Sequence, residues 1–387
     1  ASDVYKRQVL EIQAHGGPVL LKLILRAALT KLAFCGLRIA EPGEFTKRAF
    51  LNGRMDLTQA EAVSGLIDAA SEAAAHAAAR SLSGDFSREV HAAGDLLDEA
   101  RALSEASLDF PEEDLEDLKE KQIFTRAREA QIKLEGLLAN ARRGVVLADG
   151  ITVALVGAPN VGKSSLLNAL AGDEVAIVTE IAGTTRDRIE HWTAFDGIPL
   201  RIVDTAGMRE TNDIVEQKGI ERTLKAISEA DIVLHLVDAS GRIPDDEALL
   251  TRVREYARPG TPLLIVANKI DSISLERRNE YCDASIVPIS AKTHEGLEAL
   301  KERVLEYVDM AGGTEGVFLA RERHLECLRM ASAHLSTALE MSTSPFCMME
   351  IFAEELRLAG RALGELLGET DAEDLLGIIF SRFCIGK

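Results

Sequence analysis

Two glycines, a lysine and a hydroxyl fall at the spacing a phosphate requires in Gly157-Ala158-Pro159-Asn160-Val161-Gly162-Lys163-Ser164, the pattern G-x-x-x-x-G-K-S. The glycines let successive backbone N–H groups wrap closely around an anion, and a following helix adds its positive end. Lys163 can bring charge to the outer phosphates, and the Ser164 hydroxyl can ligate magnesium. The expected phosphate-binding stretch is therefore Asn160, Val161, Gly162, Lys163, Ser164 and Ser165. The apolar run Ile151 to Val156 predicts a strand before the loop, and Ser165 to Ala171 a helix after it. That context separates the segment from an ordinary glycine-rich turn.

Two later motifs specify the base. Asn268-Lys269-Ile270-Asp271 follows the apolar run Leu263 to Ala267 and reads N-K-x-D. Asp271 can accept from both the ring N–H and the exocyclic amine of guanine; adenine offers neither donor there and would leave a buried carboxylate unpaired. Ser290-Ala291-Lys292, after another short apolar run, fits a loop that supports the base. Alone, N-K-x-D is a weak signal, because its residues are common in loops; its order and spacing after a phosphate loop make it specific. Asp204-Thr205-Ala206-Gly207 ends a strand predicted over Leu200 to Val203 and reads D-x-x-G. Asp204 would hold magnesium through water, and the N–H of Gly207 would approach the γ-phosphate. Between these motifs lies Gly183-Thr184-Thr185-Arg186-Asp187, in which Thr185 is the favoured threonine to complete the magnesium shell. The expected ligands are GTP or GDP with Mg2+.

The catalytic part departs from small signalling GTPases, which carry a water-orienting glutamine directly after D-x-x-G. Met208 stands there, and a thioether cannot orient water. An arginine finger contributes about three to five powers of ten, roughly 4–7 kcal/mol, and no finger is evident to fill a gap of that order. Asn160, with carbonyls and hydroxyls of Thr179 to Thr185, could form an oxygen cage for a monovalent cation beside the β- and γ-phosphates; the alternative for Asn160 is an ordinary turn residue. Glu210, Asp213 and Glu216 are candidates to position the water. Spacing does not choose among them, and a solvated acidic loop is the plainer reading.

The loop G-A-P-N-V-G-K-S, the segment T-E-I-A-G-T-T-R-D and the segment D-T-A-G-M-R-E resemble the TrmE–Era group of bacterial GTPases. Within that group the chain is similar to the MnmE (TrmE) family of tRNA-modification GTPases. Leu37-Arg38-Ile39-Ala40-Glu41-Pro42-Gly43-Glu44-Phe45, running on to Gly53, resembles the end of that family's N-terminal domain. Leu57 to Ala70 resembles its first long helix, and the terminal Cys384-Ile385-Gly386-Lys387 its C-terminal mark. The likeness runs from about Val9 to Lys387.

The resemblance implies a set of roles. The family's potassium ligands fall on Asn160, through its side chain, and on Thr179, Ile181 and Thr184; its magnesium threonine falls on Thr185; its water-orienting glutamate falls on Glu216. Lys163 and Glu216 are then the catalytic residues of the GTPase. Two G domains are expected to dimerise across their switch regions when potassium and GTP are bound. The implied task is addition of an aminomethyl or carboxymethylaminomethyl group to the wobble uridine of tRNA, with the flavoprotein MnmG (GidA) and a one-carbon tetrahydrofolate, in the cytoplasm. Cys384 is implied near the modification site. A buried structural thiol is the competing reading for it; a prenylation box is not, because Gly386 is not aliphatic.

Positioning these residues takes an alternation of strands and helices from Ile151 to about Val308, an α/β GTPase domain with a P-loop and a mostly parallel sheet. It is flanked by Ala-, Leu-, Glu- and Arg-rich helical stretches, Leu57 to about Ala148 and Phe318 to Phe380. The expected organisation is a truncated α+β N-terminal domain (1–54), an all-α domain in two parts (55–147 and 314–387), and the GTPase domain (148–313) inserted between them. Before Arg54 a strand-like start at Val9 and a helix over Leu20 to Ala33 are predicted. The chain opens at Ala1 without methionine, and Ala1 to Gln8 does not fit the family pattern, so a fragment is expected. A fragment lacking the family's β-rich opening segment would lose contacts for folate and for N-terminal dimerisation.

Composition narrows the alternatives. With 63 acidic and 44 basic residues and a net charge of −19, the surface as a whole repels nucleic acid, so tRNA contact requires a local patch; Arg142-Arg143 is one candidate, and a solvated helix end is the plainer reading of it. Five scattered cysteines without C-x-x-C pairs fit a reducing compartment and no structural zinc. No apolar run reaches membrane-spanning length, so no membrane partner is expected. A GTP-switched ribosome-assembly factor of the Era-like group is the alternative function, opposed by the C-I-G-K terminus and the lack of a basic RNA-binding module. A non-catalytic switch that docks a partner through its helices is a third.

Overall fold

A computed structural model describes residues 11–109, 116–171, 190–204, 224–241, 247–278, 281, 286–308, 310, 313–342, 348–369 and 379. Before Arg54 the described elements are α1 (Pro18–Lys31), a 3-10 turn at Ala33–Cys35 and α2 (Glu44–Leu51). The strand-like start expected at Val9 lies outside the described residues; the described residues 11–17 form no strand.

Caps then fix where the helices begin. The Asp56 carboxylate accepts from the Gln59 N–H at 2.9 Å, and the Gln59 side chain returns a bond from the Asp56 N–H at 3.0 Å, a capping box that opens α3 (Leu57–Ile67). Ser71 caps α4 (Glu72–Leu82) from the Ala74 N–H at 3.1 Å. Four long helices follow in the helical parts: α5 (Asp85–Asp109), α6 (Glu116–Asp149), α11 (Glu322–Ser342) and α12 (Met349–Leu367). Phe86, Val90, Ala93, Leu97 and Ala100 on α5 are buried at alternating steps of four and three. Ile123, Ala127, Ala130, Leu134, Leu137 and Ala141 on α6 repeat that spacing, as do Phe352, Leu356, Ala359, Leu363 and Leu366 on α12. This is the heptad seam of a helical bundle, and these stripes share one core with Leu328, Ala331 and Leu335 of α11.

α6 ends where Gly150 turns left-handed (φ 72°), and β1 (Ile151–Gly157) starts at the next residue. The α/β unit continues with α7 (Lys163–Ala171), β2 (Glu190–Phe195), β3 (Ile198–Asp204), β4 (Ile232–Asp238), α8 (Glu247–Tyr256), β5 (Leu263–Asn268), α9 (Leu275–Arg278), β6 (Ile286–Pro288) and α10 (Leu297–Tyr307). The six strands order as β2-β3-β1-β4-β5-β6, all parallel except β2 against β3. β1 and β4 are almost continuously buried, as central parallel strands covered on both faces must be. Mixed α/β and all-α layers are therefore both present, as the sequence predicts.

The two layers meet along the segment 313–320, which returns from the sheet to the bundle. Val317, Phe318, Leu319 and Ala320 are all buried. Asn140 donates to Gly316 O at 3.1 Å and accepts from the Phe318 N–H at 3.3 Å, while the Leu319 N–H donates to Ala77 O at 3.2 Å. Arg143, read above as half of a basic patch, is hydrogen-bonded to Gly313 O. Gly144 faces this strap so closely that a Cβ there would fall inside contact distance of Phe318 O. Just beyond the strap, buried Glu61 of α3 meets Arg323 (Nε to Oε1, 2.9 Å; Nη2 to Oε2, 2.7 Å) and His324 (Nε2 to Oε2, 2.6 Å). The Arg321 N–H donates to His324 Nδ1 at 3.1 Å, so the ring carries its proton on Nε2 and is a neutral donor to Glu61. Burial holds His324 below its ordinary value. Burial alone would raise Glu61, but its contacts with His324 and Arg323 outweigh that and hold its carboxyl well below the usual glutamate range.

Candidate functional site

The predicted phosphate loop is the turn between β1 and α7, at the carboxyl end of the sheet, where open α/β folds bind ligands. Its conformation requires its glycines. Gly157 has φ 154° and Gly162 φ 101°, and a Cβ on either would collide, with Leu236 O on β4 and with the Asn268 amide respectively. Asn160 also lies in the left-handed region (φ 64°), which Asn tolerates better than most side chains. The turn role weighed for Asn160 is therefore real. Val161 is buried beneath the loop. Lys163 Nζ lies back across the loop, donating to Gly157 O at 2.8 Å and Ala158 O at 3.1 Å. Ser164 and Ser165 are exposed in the first turn of α7.

N-K-x-D ties this loop to the rest of the site. Asn268, the last residue of β5, is buried; its amide donates to Val161 O at 2.8 Å and its carbonyl oxygen accepts from the Ala291 N–H at 3.0 Å. One side chain thus holds the phosphate loop and the S-A-K loop together. Lys269 turns left-handed (φ 70°), and its Nζ reaches Asn160 O at 2.9 Å. Asp271 accepts from the fully buried Ser290 hydroxyl at 2.8 Å, which fixes one carboxylate oxygen for a ligand to meet the other. Ser290 Oγ in turn accepts from the Thr293 N–H at 3.1 Å. Lys292 is exposed beside it.

One residue of this network was not read from the sequence. Asp238, the last residue of β4, sits in register with Asn268 and accepts from Lys269 Nζ at 2.6 Å. Its other oxygen accepts from the Ser240 N–H at 2.9 Å and the Ser240 hydroxyl at 2.6 Å. Partial burial pushes its carboxyl up, but the bonds from Lys269 and Ser240 outweigh that and leave it below the ordinary aspartate value. A lone Asp at a strand end has no motif spacing; the available signal was its place at the tip of the strand beside N-K-x-D.

The network brings together Asn160, Val161, Gly162, Lys163, Asn268, Lys269, Asp271, Ser290 and Ala291. Asp204 closes β3, the strand beside β1, and its side chain lies outside the described residues. Thr179, Ile181, Thr184, Thr185, Gly207, Met208, Glu210, Asp213, Glu216 and Cys384 also lie outside them. Among the described residues no helix is long and apolar enough to cross a membrane.

The family model of the MnmE helical domain matches residues 57–384, and that of the GTP-binding protein TrmE N-terminus matches residues 3–54. The second match starts six residues ahead of Val9, so the family pattern reaches further toward Ala1 than expected. A tRNA modification GTPase MnmE of Chromobacterium violaceum is 50% identical over 382 residues, covering 98% of this chain and 82% of that protein. Its counterpart in Ralstonia nicotianae is 50% identical over 385 residues, covering 98% and 81%. That of Burkholderia thailandensis is 50% identical over 387 residues, covering 98% and 82%.

Proposed function

The chain belongs to the MnmE family of tRNA modification GTPases, and from that premise we propose that it hydrolyses GTP with stimulation by potassium and couples this to (carboxymethyl)aminomethyl modification of the wobble uridine of tRNA. The supporting observation for the nucleotide part is the Asn268 bridge. With Val161 O on one side and the Ala291 N–H on the other, it locks the phosphate cradle and the base-reading loop into one surface. Asp271, fixed by Ser290, then reads guanine.

In this reading Lys163 leaves the loop carbonyls for the outer phosphates. Ser164 and Thr185 would hold magnesium directly and Asp204 through water; hydroxyl and carboxylate oxygens are the hard ligands that ion takes. Asn160, Thr179, Ile181 and Thr184 would hold potassium, an all-oxygen set whose ion supplies the positive charge an arginine finger supplies elsewhere. Glu216 orients the attacking water in place of the residue at Met208. The residues acting at the phosphates come from two segments, 160–164 and 179–216, that G-domain pairing in a homodimer would bring together. The proposed partners are MnmG (GidA) and tRNA, and the proposed compartment is the cytoplasm. One-carbon tetrahydrofolate is assigned to the N-terminal part (1–54) and Cys384 to the modification step. The proposed domains are 1–54, 55–147 with 314–387, and 148–313.

GTP turnover in potassium against sodium tests this. We expect at least about tenfold faster hydrolysis in potassium, a difference lost in Asn160→Ala, and a turnover reduced by about two powers of ten or more in Glu216→Ala. Equal rates in the two salts would remove the cation mechanism.

A further inference from the structure

We propose that Asp238 is a specificity-positioning residue for the guanine nucleotide, acting through Lys269. This rests on the guanine-nucleotide reading of the site. A lysine side chain is a point charge on a flexible four-carbon stem and does not hold a direction unaided. Here its direction is set at both ends. Its backbone is turned left-handed directly after Asn268, whose side chain is buried and bonded on both sides. Its ammonium sits between two acceptors, Asn160 O at 2.9 Å and Asp238 Oδ2 at 2.6 Å. The alkyl stem therefore runs from the base-reading loop to the phosphate loop and walls the space between them.

Asp238 is itself held without slack. Ser240 donates twice to Oδ1 while Lys269 takes Oδ2, and the Ala239 N–H donates to Asn268 O at 2.8 Å, tying the turn after β4 to the end of β5. A carboxylate this close to a phosphate loop would repel the ligand if it were free; paired with Lys269 it leaves the pair neutral and fixes where the ammonium stands. A purely structural role predicts little else, because partly exposed ion pairs contribute almost nothing measurable to folding. The pair is partly exposed, at 37% for Lys269 and 30% for Asp238.

Asp238 thus acts on the base and ribose side of the ligand, where the Lys269 stem lies, and not on the phosphates. Titration calorimetry on the full chain separates the two, with GDP, ADP and inorganic tripolyphosphate as probes. Asp238→Ala is expected to weaken GDP about tenfold without weakening tripolyphosphate, which the unpaired Lys269 ammonium can only hold as well or better, so that the preference for GDP over ADP falls. Asp238→Asn, whose amide oxygen still accepts from the ammonium, should lose only about threefold. In a Lys269→Met background, adding Asp238→Ala should cost nothing further, since the effect passes through Lys269. In steady state the loss should appear in KM rather than kcat. GDP affinity within about twofold of the parent would overturn the proposal, as would equal losses of GDP and tripolyphosphate, or a full additional loss in the Lys269→Met background. Failure of the unaltered chain to prefer GDP over ADP would instead overturn the guanine reading itself.

Discussion

Glycine at 162 is not interchangeable with alanine, because two separate features require it. Its φ of 101° belongs to the region that L side chains avoid, and its missing Cβ is the space into which the Asn268 amide reaches. Gly162→Ala should therefore weaken GDP binding by about ten- to a hundredfold, the effect of roughly 1–3 kcal/mol of local strain. Titration with GDP would show it, and an unchanged affinity would mean that the loop relaxes at no cost. Much of this site was legible at the residue scale, because Gly157, Gly162, Lys163 and Ser164 carry their chemistry in residue type and spacing. What Asn268 does was not legible: N-K-x-D announces a base reader, whereas the structure has this asparagine bridging two loops. Asp238 left only its place at a strand tip as a signal, since its partner Lys269 is brought to it by strand pairing and not by spacing along the chain.

Among the elements, the strap from Gly313 to Ala320 decides how the sheet and the bundle are joined. It is buried on α6 at Gly144, bonded to Asn140 on the same helix, and bonded through Leu319 to Ala77 of α4. Ala77, Ala78 and Leu147 belong to the same core as Phe195, Ile198 and Leu200 of the sheet, so the two layers share packing as well as backbone. Gly197, at the β2–β3 turn, completes the contact, with space for a Cβ only 3.1 Å from that of Ala73. Replacing Gly144 by alanine should destabilise the chain by about 1–3 kcal/mol through overpacking against Phe318 O. A urea midpoint equal to the parent's would show that the strap gives way freely. The bundle helices were legible because their apolar residues recur at steps of three and four. The strap was not, because it carries no period: Val317 to Ala320 is a short apolar run whose burial depends on where four other segments stand.

For the molecule as a whole, acid should be the destabilising direction. His324 is held neutral when folded, whereas in the unfolded chain it takes up a proton near pH 6.5. Stability is therefore intact above about that pH and falls below it, by up to about 1.4 kcal/mol per pH unit. Glu61 acts in the same direction further down: its depressed folded value preserves stability above the ordinary glutamate range near 4.3, and that stability drains away as pH falls through it. Thermal unfolding should give a flat Tm from pH 8 to about 6.5 and a decline below, and His324→Gln, which keeps a donor toward Glu61, should flatten the part between about 6.5 and 5. An identical decline in that variant would place the acid sensitivity elsewhere. The bundle's division around an inserted sheet has a further consequence during biosynthesis. α5 and α6 leave the ribosome with their apolar seams bare, and their partners α11 and α12 follow only after the chain from Asp149 to Glu322 has been translated. At about 5–20 residues per second that delay is on the order of ten seconds or more. The newborn helical pair therefore waits, with part of its apolar seam uncovered, until about the last sixth of the chain emerges.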